Sequence, residues 1–117
     1  LKYIKIDYYF FARRIIMSAG KLLKWVTGAM EVFLGIPFVG GVMVISFMYL
    51  PLMVMLILHI ITLVYCNQEN LDKAPSTLGI ITSCIAWIPF VGMIMHILTA
   101  VFLLASAAKE SDKVSIR

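Results

Sequence analysis

The sequence predicts an all-α integral membrane protein, with about four short membrane-embedded helices in two Pro/Gly-turned hairpins. Three observations predict it. Hydrophobic residues make up 62% of the 117 residues and the mean hydropathy is +1.01, against roughly 45–50% apolar residues in a soluble domain. Two long stretches, Val32 to Asn67 and Ala74 to Ala108, contain no Asp, Glu, Lys or Arg, and uncharged apolar runs of roughly 18 residues or more are transmembrane candidates. Each stretch is interrupted by the same motif, Ile36-Pro37-Phe38-Val39-Gly40 and Ile88-Pro89-Phe90-Val91-Gly92. Proline removes a backbone donor and clashes with the preceding turn. In lipid such a break survives only at an interface or packed within protein. The same observations admit an alternative: two long kinked transmembrane helices plus an N-terminal interfacial helix.

The chain also uses one stretch twice. Residues 49–65 read YLPLMVMLILHIITLVY and residues 87–102 read WIPFVGMIMHILTAVF. Fixing His59 on His96 superposes Ile57 on Ile94, Thr62 on Thr99, Val64 on Val101 and Tyr65 on Phe102. Pro51 then falls on Pro89 with a one-residue gap. We read residues 17–108 as a single membrane-embedded helical domain containing this internal repeat.

Residues 1–16, LKYIKIDYYFFARRII, are basic and aromatic. They read either as a segment lying on an anionic membrane surface or as a translated leader. For the leader, Leu1 fits a non-ATG start codon, and Arg13-Arg14 can be encoded AGGAGG, the bacterial ribosome-binding sequence. Met17 follows as an ordinary start. Residues 21–36 form the first expected helix, with Lys21 and Lys24 snorkelling to headgroups and Trp25 as an interfacial anchor. Gly35 to Gly41 should break it. Residues 42–66 are long enough for a tilted span, in which Pro51 either kinks the helix or starts a shorter one. Residues 67–76 are the polar loop, and Ser76 or Thr77 should cap the next helix. Residues 77–88 and 91–108 flank the second break, where Trp87 prefers an interface and so argues for a turn. Residues 109–117 are a polar tail.

Basic residues gather at both ends: Lys21 and Lys24, then Lys109, Lys113 and Arg117. The central loop holds Glu69, Asp72 and Lys73. The positive-inside rule places both termini of a multi-pass protein in the cytoplasm, which requires an even number of crossings of the cell membrane.

The candidate intramembrane polar site is His59, Thr62, His96, Thr99 and Glu31. Each histidine has a threonine three residues on, a spacing that puts both on one helical face. Intramembrane ionisable residues mark relays, pores or ion sites by default. The plainer reading is interhelical hydrogen bonding, worth about 0.6–2 kcal/mol in bilayers. Glu31 is the only acid inside an apolar run; it is either shallow near the interface or a partner for a histidine or a cation. Cys66 and Cys84 make no disulfide framework and read as buried thiols packing like small hydrophobes. A metal site needs three or four donors in a suitable geometry, so no metal and no cofactor is expected.

The sequence carries no nucleophile–base arrangement, no phosphate loop, no paired catalytic carboxylates and no nucleic-acid module. It therefore reads as a non-enzymatic membrane protein acting through helix–helix association: an accessory, immunity-type or self-associating module. Its partners are then the lipid bilayer and either further copies of itself or another membrane protein. The alternative is a small oligomeric channel or proton/ion pathway using the repeated His-x-x-Thr.

Overall fold

A computed structural model describes residues 19–109. The segment 1–16, with its leader and membrane-surface readings, lies outside the described residues, as does the tail beyond Lys109. Among the described residues the chain is all-helical: α1 (Ala19–Gly35), α2 (Val39–Ser46), α3 (Leu50–Gln68), α4 (Ala74–Ile85) and α5 (Pro89–Lys109). That is one helix more than expected. The extra element is α2, which the sequence reading merged into a span over 42–66. The chain instead turns at Phe47, Met48 and Tyr49, the last two with φ of 51° and 64°. Pro51 then sits in the first turn of α3, where its missing N–H costs nothing. It starts a helix and does not kink one.

The other prolines act alike. Pro75 stands in the first turn of α4 and Pro89 opens α5. At Pro37 the chain bends by 98° between α1 and α2. Gly40 permits the bend, because a Cβ there would collide with the Leu34 carbonyl. The expected cap of α4 is corrected. Ser76 is buried in the bundle with no partner for its hydroxyl. The Thr77 hydroxyl donates to the Lys73 carbonyl. The side chain serving the start of α4 is Asp72, which accepts from the Ala74 N–H at 3.0 Å, the local Asx pattern.

Helices α3 and α5 are long and apolar enough to cross a membrane, and the bent pair α1–α2 passes the same test only if counted together. At 1.5 Å per residue they run about 28 Å and 31 Å, close to a hydrocarbon core of about 30 Å. Helix α4 runs only about 18 Å.

The bundle has its polar side turned in. Helix α1 buries Gly20, Lys24, Thr27, Gly28, Glu31, Leu34 and Gly35, a stripe at helical spacing. Around the histidines, α3 buries Met55, His59, Thr62 and Cys66, and α5 buries Gly92, His96, Thr99 and Leu103. These offsets from each histidine coincide, while α5 also buries Ala100, whose counterpart Leu63 is only half-buried. The outward faces carry Ile57, Ile61, Val64, Ile94, Val101 and Phe102, all exposed, as lipid-facing residues should be. In lipid, helices gain nothing from hiding leucine, so small residues and interhelical hydrogen bonds hold them together. The α1–α5 seam, the most extensive in the fold, shows this: a Cβ on Gly28 would meet Leu104 at 2.7 Å, and one on Gly35 would meet Ile97 at 2.8 Å.

The contacts give the helix directions. Lys24 meets Ser106 and Glu31 meets His96, so α1 and α5 are antiparallel. Gly20 meets Glu69 and Glu31 meets His59, so α1 and α3 are antiparallel too. The two histidine-bearing helices therefore run in the same direction.

Candidate functional site

The polar site forms where α1, α3 and α5 meet. Glu31 lies toward the Gly35 end of the inner stripe of α1, fully buried. Its Oε1 accepts from His59 Nε2–H at 2.6 Å, and its Oε2 accepts from His96 Nδ1–H at 2.5 Å. One carboxylate thus bridges two imidazoles 37 residues apart in sequence, and each oxygen serves one ring. Hydrogen bonds to a charged group are about twice as strong as neutral ones, and a low-dielectric interior raises the cost of leaving any of the three unpaired. The His59 ring packs against α4, where a Cβ on Gly79 would strike it. His59 Nδ1 is buried without a partner.

Of the five expected residues, three converge. The two threonines do not join them, although both are buried one turn along from their histidines. Thr62 returns its hydroxyl to its own helix, donating to the Leu58 carbonyl at 2.7 Å. Thr99 shares a 2.6 Å hydrogen bond with Thr82 of α4. Glu31 is the histidines' partner, buried within the bundle.

Lys24 corrects another expectation. It does not snorkel: it is fully buried, and its Nζ donates to Ser106 Oγ at 2.8 Å. Lys24 shares the inward stripe with Glu31 and sits seven residues before it, so the helix points it into the bundle. Its end of the bundle is closed by Glu69, whose Oε1 accepts from the Gly20 N–H at 3.0 Å. A carboxylate there also faces the positive end of the α1 dipole. The cysteines divide: Cys66 is buried as expected, but Cys84 is exposed on α4.

Sequence reasoning missed Thr82, Gly79, Ser106 and Glu69. Two of them had a signal. Thr82, Gly79 and Ser76 follow each other at three-residue spacing along α4, a polar and small stripe that marks an inner face in lipid. Ser106, ten residues beyond His96, sits about 80° round α5 from it and carried no such signal. Glu69 had none, because a loop carboxylate reads as solvated.

Three proton-binding groups meeting at one point can lock three helices together, or hold a proton and pass it between helices. Among the described residues no group of three or more His, Cys, Asp and Glu is arranged to hold a metal ion; both histidine nitrogens that face Glu31 already contact its oxygens. Comparison with protein-family models, with curated proteins and with solved structures gave no match to this chain.

Proposed function

We propose that this chain is a small non-enzymatic integral membrane protein that works through helix–helix association. One observation carries the reading. The buried polar groups around Glu31 are bonded to one another inside a single copy: Glu31 to both histidines, Lys24 to Ser106, Thr82 to Thr99. What the chain offers outward is apolar surface. Affinity purification in a mild detergent followed by native mass spectrometry tests it. A fixed-stoichiometry complex, with itself or with one partner, is the expected result. A strictly monomeric species that captures nothing would overturn the reading.

The topology that goes with it is four crossings in two hairpins. The Gly20–Glu69 and Lys24–Ser106 contacts put the start of α1, the central loop and the end of α5 at one end of the bundle. Both Ile-Pro-Phe-Val-Gly turns then fall at the other end. Lys21, Lys73 and Lys109 share the first end, which the positive-inside rule assigns to the cytoplasm. The shared burial offsets in α3 and α5 support the internal repeat.

A second reading is a proton or ion pathway, and the carboxylate bridging the two repeat-related histidines favours it. With those groups facing inward, the path would run through each copy and not between copies. Liposome flux that vanishes when His59 and His96 are both changed to Leu is the outcome this reading requires. Flux unaffected by the double change would sink the role given to the histidines.

A further inference from the structure

The two Ile-Pro-Phe-Val-Gly turns line one cavity of about 510 Å³. That lies within the range of roughly 300–1,000 Å³ typical of small-molecule sites. We propose that this cavity binds the head of a lipid-soluble quinone or quinol: a planar ring whose oxygen hydrogen-bonds to His96, with an apolar tail running out into the bilayer. The site lies outside the association reading above and does not depend on it.

Three features argue for this ligand class. The wall is aromatic: Phe38, Tyr49, Trp87 and Phe90 all line it, and flat rings stack on flat rings. The polar contact is narrow. His96 lines the cavity while its Nδ1 is committed to Glu31, and its Nε2 makes no hydrogen bond to the described residues. With Nδ1 fixed by a carboxylate, Nε2 accepts from a quinol hydroxyl when the ring is neutral, and donates to a quinone carbonyl when it is protonated. Finally, backbone strain collects here. Tyr49 is left-handed, with φ 64° and ψ 6°, and Phe38, with φ 68° and ψ −43°, centres a strained γ-turn closed by the Val39 N–H on the Pro37 carbonyl; both are rare for aromatic residues and such strain is concentrated at binding sites.

The test uses the full chain in detergent micelles. Changing Trp25 to Phe leaves Trp87, in the cavity wall, as the single tryptophan. The probe is a benzoquinone with a decyl chain, which quenches indole fluorescence on contact. Saturable quenching at one probe per chain is expected. Gly41 lines the cavity, lies in helical backbone, and an added Cβ would meet nothing within 4 Å. Gly41→Leu should therefore fill the space without disturbing the fold, and weaken binding at least about tenfold while the melting temperature holds; one lost hydrogen bond in His96→Gln should also cost about tenfold. Quenching that rises linearly with probe, or saturable binding that Gly41→Leu leaves intact, overturns the site. Displacement of the probe by equimolar lauric acid, which has no ring, overturns the ligand class.

Discussion

At the scale of single residues, the site depends on what is missing from Gly79 as much as on what is present at Glu31. A Cβ on Gly79 would enter the His59 ring. Gly79→Ala must push that ring off the carboxylate or separate α4 from α3. We expect a loss of about 1–3 kcal/mol, the usual cost of overpacking, read as a lower melting temperature in detergent. Gly41→Ala is the control, since its added methyl meets open space, and should leave the melting temperature unchanged. Glu31→Gln keeps the size but not the charge, and an amide offers a single acceptor to two imidazoles. It should cost about 1.5–3 kcal/mol, the range for a hydrogen bond to a charged group. Glu31→Leu, which leaves both rings unpaired, should cost more. Unfolding free energies of both Glu31 variants equal to that of the unsubstituted protein would show that the bridge contributes nothing through its hydrogen bonds. His59, His96 and Glu31 were legible as rare polar residues in apolar runs. Gly79 was legible only as part of the small and polar stripe on α4; its fit beneath the His59 ring was not, because such a glycine looks in sequence like any other.

At the scale of elements, helix starts were easier to read than helix faces. Pro51, Pro75 and Pro89 each open a helix because a first-turn residue needs no N–H partner. Helix α2 stayed hidden: its eight residues, VGGVMVIS, are apolar on every side, so no period separates them from the span that follows. In the other helices the telling period belongs to the small and polar residues, which turn inward when the solvent is lipid. Helix α4 is the clearest case, with Ser76, Gly79, Thr82 and Ser83 buried and Ile81 exposed. Its tie to α5 is the Thr82–Thr99 hydrogen bond. A double-mutant cycle with Thr82→Val and Thr99→Val should give a coupling of about 0.6 kcal/mol, and no more than about 1.7. Additive single changes would mean that α4 is held by packing alone.

At the scale of the whole molecule, the open question of the sequence, four crossings or two, becomes a question of which ends of the bundle coincide. Two long spans would put the central loop across the membrane from both termini. The Gly20–Glu69 hydrogen bond ties that loop to the start of α1, and under the proposed four crossings local bilayer thinning would accommodate the short α4 at modest cost. Asp72 and Lys73 are exposed, whereas Ser76 is buried, so a reporter belongs at Lys73. Phe38, 89% exposed in the first turn, gives the opposite end. In a background with Cys66 and Cys84 replaced by Ala, Lys73→Cys and Phe38→Cys are labelled separately with a membrane-impermeant maleimide in intact cells. The four-crossing arrangement expects Phe38→Cys to react at once, and Lys73→Cys to react only after the cells are opened. Immediate labelling at Lys73 would put the loop outside. With α1 starting and α3 ending at that loop's end of the bundle, the buried Glu31 bridge would then belong either to an inverted protein, with Lys21 and Lys109 exported against the positive-inside rule, or to a chain that crosses only twice. Labelling Lys109→Cys in the same cells separates that inversion from a two-span chain: an inverted bundle exposes both Lys73 and Lys109, whereas two long spans expose Lys73 and hide Lys109.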